Sequence, residues 1–176
     1  ALPIFIINKV DSADASDIDM VRDNIEKVNP DAMLIEAASP IYVENQDWIR
    51  DKRVLVIEDG PTLTHGGMGY GAGSIAAKKF GAKEMVDPRP YAVGSIKEAY
   101  EAFPNVSAVL PAMGYGDEQI KELEETIANM EFDTIISGTP IDINRVIQTN
   151  KPVARVIYTL QEIGSPTLED VLKKFL

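Results

Sequence analysis

Short runs of Val, Ile and Leu alternate with segments of helical period along the chain, and this alternation constrains the fold more than any other feature. Apolar runs without a polar face suit strands covered on both sides, as in parallel sheets with crossover helices. The pattern predicts strands at about 4–7, 32–36, 54–58, 84–86, 107–110, 134–137 and 153–158. Helices are expected at about 16–28, 71–80, 95–102, 117–130, 141–148 and 167–175.

A seam is expected near 40–53, where Ser39-Pro40 ends one strand and a polar stretch from Glu44 to Arg53 carries the chain's one tryptophan, Trp48. Residues 54–176 then hold enough strand–helix units for one Rossmann-like domain. Residues 1–45 offer a single βαβ unit, which cannot bury its own apolar face. They are expected to be the C-terminal remnant of a larger domain.

Charge excludes one class of partner. With 28 acidic against 17 basic residues the net charge is -11, and nucleic-acid binding, which needs clustered Lys and Arg, is not expected. A phosphorylated ligand would need helix N-termini or a few placed cations. The absence of cysteine leaves no disulfides or thiolate metal sites and suits a reducing, cytoplasmic setting. No apolar run reaches the length of a membrane span, so no membrane partner is expected.

The strand Ile4-Phe5-Ile6-Ile7 runs into Asn8-Lys9-Val10-Asp11. Ligands of open α/β sheets bind beyond the carboxyl ends of strands, which is where this segment falls. The Asp11 carboxylate can accept from the ring N–H and the exocyclic amine of guanine together, a pair that adenine does not offer. The stem of Lys9 can lie along the base, and Asn8 can tie neighbouring loops together. One βα unit later comes Glu36-Ala37-Ala38-Ser39, again at a strand end, where backbone N–H groups can meet the guanine carbonyl. The simpler reading is that Asp11 or Ser12 only caps the next helix. The pair of loops resembles the base-recognition motifs of P-loop GTPases, NKxD followed by a small-residue loop. That resemblance implies a phosphate-binding loop and a magnesium-holding acid upstream. Only three residues precede the first strand, and no GxxxxGK[ST] occurs in the chain.

After the strand 54–57 comes a long Gly-rich connection, Glu58 to Gly73, containing the chain's one histidine. Long connections in compact domains are commonly functional. Its N–H groups and the following helix N-terminus are expected to hold phosphate, through Asp59, Gly60, Thr62, Gly66 and Gly67. Thr64 and His65 are the expected catalytic pair, His65 as phosphate contact or acid/base group. The alternative is a packing loop with a surface histidine. A rival fingerprint overlaps it: Gly71-x-Gly73-x-x-Ala76, with Asp87 ending the next strand as a ribose acid would. About a dozen residues separate this fingerprint from its strand, which counts against a dinucleotide site.

Other strand ends offer further contacts. Arg89, in Asp87-Pro88-Arg89-Pro90, is a candidate anion contact, or else a solvated residue on a rigid turn. Asp117 reads as an N-cap. Ser137-Gly138-Thr139-Pro140 suits a helix N-terminus, with Thr139 able to donate to phosphate and Arg145 one turn in. Arg155 is either a buried partner for a carboxylate or a site cation. The loops after 58, 86, 110 and 137 are expected to gather into one cleft. No metal ligands are expected in the chain itself.

DGPTLTHGGMGYGAG (59–73), GTPIDINRVI (138–147) and KPVARVIYTLQEIG (151–164) together resemble the cyclic 2,3-diphosphoglycerate synthetase family and related predicted GTPases. The resemblance covers nearly the whole chain and matches the C-terminal part of such proteins. It implies α/β structure, the end of a P-loop-type domain followed by a Rossmann-like parallel-sheet, three-layer domain. It implies also nucleotide-dependent phosphate chemistry, with GTP or ATP and magnesium, on a small phosphorylated metabolite. The magnesium ligands would lie mainly upstream, and a homo-oligomer is compatible with this. A GTP-binding regulatory protein without turnover is the alternative, and a dinucleotide-binding oxidoreductase a weaker one.

Overall fold

The computed structural model describes residues 3–67 and 69–173. Its elements in chain order are β1 (Ile4–Asn8), α1 (Ala15–Val28), β2 (Met33–Ala38), β3 (Ile41–Val43), β4 (Arg53–Asp59), α2 (Gly60–Thr64), α3 (Ala72–Lys79) and β5 (Glu84–Met85). They continue with α4 (Gly94–Ala102), β6 (Leu110–Ala112), α5 (Asp117–Ala128), β7 (Thr134–Gly138), β8 (Val153–Tyr158), β9 (Gln161–Ile163) and α6 (Leu168–Leu172). The fold is mixed α/β with two mainly parallel sheets, the Rossmann-like class expected from the alternation.

The larger sheet has the order β3-β8-β7-β4-β5, with β6 beside β4. The apolar run Val54 to Ile57 forms its centre and is fully buried. On β4 the side chains alternate between faces. Leu55 and Ile57 join Leu110, Leu123, Ile127, Phe132 and Ile135 in one core, beneath α4 and α5. Val54 and Val56 lie on the other face, where Val56 meets α3 at Gly73. Burying each of these large side chains contributes roughly 1.5–3 kcal/mol. The parallel register sets Ile57 against Leu110 on β6 and Ser137 on β7, so three strand ends reach the same edge.

The smaller sheet runs β1-β2-β9. β1 and β2 are parallel, with Asn8 opposite Ala37, while β9 joins β2 antiparallel, with Glu162 opposite Ala37. The chain divides into two compact units, 1–41 with 158–176, and 42–157. The boundary read from sequence, with everything after 54 in one domain, differs from this division at the C-terminus. Gln161–Ile163 supplies the edge strand, paired antiparallel to β2. Within the first unit Phe5, Ile6, Met20, Val21, Val28 and Ile163 are exposed, and α1 buries none of its residues.

Three local differences have clear causes. The helix expected at 141–148 is one 3-10 turn, Ile143–Arg145, capped by the Asp142 side chain accepting from the Asn144 amide. The strand expected at 107–110 is shifted to Leu110–Ala112, because Ser107 is committed to Gly69: its N–H and Oγ both donate to that carbonyl, at 2.9 and 2.6 Å. Pro111 is tolerated in β6, which pairs only with β4 among the described residues. The helix at 117–128 is entered from Gly116, whose amide donates to Gln119 Oε1 at 3.2 Å. Asp117, expected as the cap, occupies the first turn, where its charge still complements the helix dipole.

Candidate functional site

In the first unit, β1 and β2 deliver two loops to one place. Asn8 ends β1 directly opposite Ala37, so the segment 8–11 lies alongside 37–39. Asn8 Oδ1 accepts from the Lys9 amide at 2.8 Å and from Ser39 Oγ at 3.0 Å. Asp11 Oδ1 accepts from the Ser39 amide at 2.9 Å, and the Val10 amide donates to the Ala37 carbonyl at 3.2 Å. Lys9 is held at φ +65°, in the left-handed region that a residue with a Cβ seldom adopts. Such strain persists only where neighbouring contacts over-determine it, and it concentrates at ligand sites. Behind the loops Glu36 binds the Arg22 guanidinium at 2.6 Å, which joins α1 to β2 and lowers the Glu36 pKa. Ala38 is buried and Asp11 exposed.

The five residues expected to read a base are thus brought together, and they present a coherent chemistry. Asp11 Oδ1 is fixed by one N–H, which aims the carboxylate. In the helix-cap reading Asp11 would serve α1, but the cap position is Asp14 and it makes no side-chain cap hydrogen bond.

In the second unit the Gly-rich loop is largely engaged with itself. Asp59 Oδ2 accepts from the Thr62 amide at 3.2 Å and from Thr62 Oγ1 at 2.8 Å, capping α2. Thr64 Oγ1 donates to the Gly60 carbonyl at 3.0 Å and stands 3.0 Å from His65 Nδ1. With that proton given to Gly60, the hydroxyl oxygen can accept from an Nδ1–H of His65. His65 is exposed. Gly67 takes φ +63°, and its carbonyl accepts from Asn105 Nδ2 at 3.1 Å. Gly66 packs directly on the Thr62 carbonyl.

The expected cleft is assembled in part. Gly60 packs against Ala112 and Met113 after β6, and Gly138 after β7 lies against Gly73 and Glu58. The Tyr115 ring reaches the same edge, near Thr139 and Asp59, and its buried hydroxyl makes no well-formed hydrogen bond. Thr139 is buried and its Oγ1 donates to the Ile141 carbonyl at 2.9 Å, so its hydroxyl serves the loop.

The cations read from sequence are placed differently. Arg89 forms a two-pronged pair with Asp87, at 2.9 and 2.7 Å, which holds the Asp87 carboxyl below the usual carboxylate range. The Asp87 carboxylate is therefore committed within its own turn. Arg145 is 85% exposed and leans on Asp142 at 3.4 Å. Arg155 is exposed, not a buried carboxylate partner, and its Nη2 donates to the Pro140 carbonyl at 3.1 Å. The helix whose N-terminus would have aimed Arg145 inward does not form. Among the described residues no group of three or more His, Asp or Glu side chains is arranged to hold a metal ion.

Sequence reading passed over Glu58. It lies on the α3 face of β4, 1% exposed, and its carboxylate accepts from the amides of Gly71, Gly73 and Ser74 at 3.0, 3.2 and 2.8 Å and from Ser74 Oγ at 3.0 Å. The N-terminus of α3, expected to hold phosphate, is therefore filled by the protein's own side chain. The signal was present: an acid closing an otherwise apolar central strand, two positions from Val56 and on its face.

The fold and the loops at its strand ends define a Rossmann-like α/β protein with a candidate base-reading site. The chain is 60% identical over 175 residues, 99% of its length, to the arginine synthetase ArcE of Thermococcus kodakarensis. It spans 39% of that protein's length. The relative's name agrees with the synthetase part of the resemblance read from the motifs and does not name the cyclic diphosphoglycerate family. No family model matches the chain, and no solved structure matches it. Among the described residues no helix is long and apolar enough to cross a membrane.

Proposed function

We propose that this chain is the nucleotide-reading and acceptor-handling part of a nucleotide-dependent synthetase. The observation that carries the reading is the brace joining Asn8, Asp11 and Ser39, which holds the exposed Asp11 carboxylate beside the end of β2 by one of its oxygens. In this reading Asn8, Lys9, Asp11, Ala38 and Ser39 hold the base of GTP, the nucleotide that the Asp11 carboxylate selects over ATP. The identity with an arginine synthetase supports the reaction class, the joining of a small acceptor at the expense of a nucleotide. That relative's product makes amino acids carrying a ureido or guanidinium group the first acceptors to test, beside small phosphorylated metabolites.

The acceptor site is assigned to the edge where Gly60, Tyr115 and the loop 62–67 converge. There His65 serves as acid/base group, with Thr64 Oγ1 3.0 Å from its Nδ1 to orient the ring. The ligands for magnesium, with the phosphate-binding loop, are assigned to other parts of the synthetase. The apolar faces of the first unit, Phe5 and Ile6 on β1 and Met20 and Val21 on α1, suit cover by such a part.

The test uses the full-length protein. Asp11→Ala should weaken GTP binding about tenfold or more while leaving ATP binding unchanged, because the lost bonds are charge-assisted. Equal competition by the two nucleotides before and after the change would remove the base-reading role. His65→Ala should lower turnover with acceptor saturating, and unchanged turnover would make that residue structural.

A further inference from the structure

We infer that Glu58 is an internal anion, a carboxylate that occupies the phosphate-type hole at the N-terminus of α3 and locks the loop 59–73 onto the sheet. Three successive-turn amides and one hydroxyl, from Gly71, Gly73 and Ser74, converge on it, and each is a donor. No acceptor among its bonded partners asks for a proton, so the arrangement suits the ionised group. The converging N–H groups and the helix dipole are what an anion requires at such a terminus. Burial raises the Glu58 pKa, and the same four donors pull it back.

The surrounding glycines are fitted to the carboxylate and not to an external ligand. A Cβ at Gly71 would stand 2.6 Å from Glu58 Oε2, and one at Gly138 would overlap that same oxygen and the Gly73 amide. Glycine at these two positions lets β4, β7 and α3 close around one side chain. The hole is consequently full in the folded chain. The Gly71-x-Gly73-x-x-Ala76 segment instead ties down the loop that carries Thr64 and His65. Glu58 is a positioning residue for that loop and touches none of the proposed reacting groups. This inference stands apart from the synthetase reading, since it concerns only contacts within the second unit.

The test is removal and replacement of the carboxylate in the full chain. Glu58→Ala should melt below the wild type, and formate, small enough to enter the vacated hole, should raise its melting temperature saturably. The wild type should gain nothing comparable from formate. A folded Glu58→Ala protein indifferent to formate, or a wild type stabilised to the same extent, would overturn the inference. The isosteric Glu58→Gln keeps the volume but sets an amide N–H₂ against donors. Its hydrogen exchange at Gly71, Gly73 and Ser74 should accelerate about tenfold or more relative to the wild type. Wild-type protection of those three amides in Glu58→Gln would equally sink the idea.

Discussion

The amide of Ser39 donates to Asp11 Oδ1 at 2.9 Å across 28 positions of sequence, and this bond turns two short loops into one surface. Neither loop is long enough to define a site. Joined through Asp11 and Asn8, they present a carboxylate oxygen, a left-handed lysine and a buried alanine at the end of a parallel sheet.

Weakening the brace should cost stability before it costs specificity. Ser39→Ala removes the Oγ bond to Asn8 but keeps the amide bond to Asp11. Its expected destabilisation is about 1 kcal/mol or less, because the pair is exposed and water competes for it. Asn8→Ala also frees the Lys9 amide and should destabilise more than Ser39→Ala. Urea denaturation of the two variants side by side checks the order.

Lys9→Gly should test the strain at φ +65°. Glycine adopts that conformation freely, so the folded state gains while the unfolded chain gains entropy too. The expected net change in stability is small, within about 1 kcal/mol. Guanine-nucleotide affinity should fall, since the stem that would lie along the base is gone. Calorimetric titration of GTP into the full-length variant reads this directly.

Gly138→Ala should be among the most damaging single methyl additions in the second unit. The new Cβ meets the Glu58 carboxylate and the Gly73 backbone, and the backbone cannot move without shifting α3. A loss of roughly 1–3 kcal/mol or more is expected from overpacking at such a site. Gly67→Ala meets no neighbouring atom, and its cost arises from φ +63° alone. Thermal melts of the two variants should rank them in that order.

The acid limb of the stability profile is set by two ion-paired carboxylates. Glu36 and Asp87 are lowered by Arg22 and Arg89, so their contributions are present above the ordinary carboxylate range and lost as pH falls through the folded values. In Arg89→Ala the part of that limb owed to Asp87 should flatten. A melting-temperature profile against pH for the variant and the wild type shows the difference.

Sequence by itself determined the class of fold and the placing of the ends of β1, β2, β4 and β7. The run Val54 to Ile57 could only be a doubly covered strand, and it is the buried centre of the larger sheet. The segments 8–11 and 36–39 were legible as neighbours because a parallel βαβ unit sets its two strand ends side by side, and the register places Asn8 opposite Ala37. These are local consequences of period and connection length. What each polar group does with its hydrogen bonds was decided only by tertiary structure. Arg89 and Arg145 found carboxylates within their own turns, and Thr62 and Thr139 spent their hydroxyls on their own loops. Glu58 reached across β4 to the N-terminus of α3 and filled the hole that its glycines, read alone, seemed to keep for a phosphate. A buried donor takes whichever acceptor the packing brings within 3 Å or so, and sequence spacing does not contain that distance.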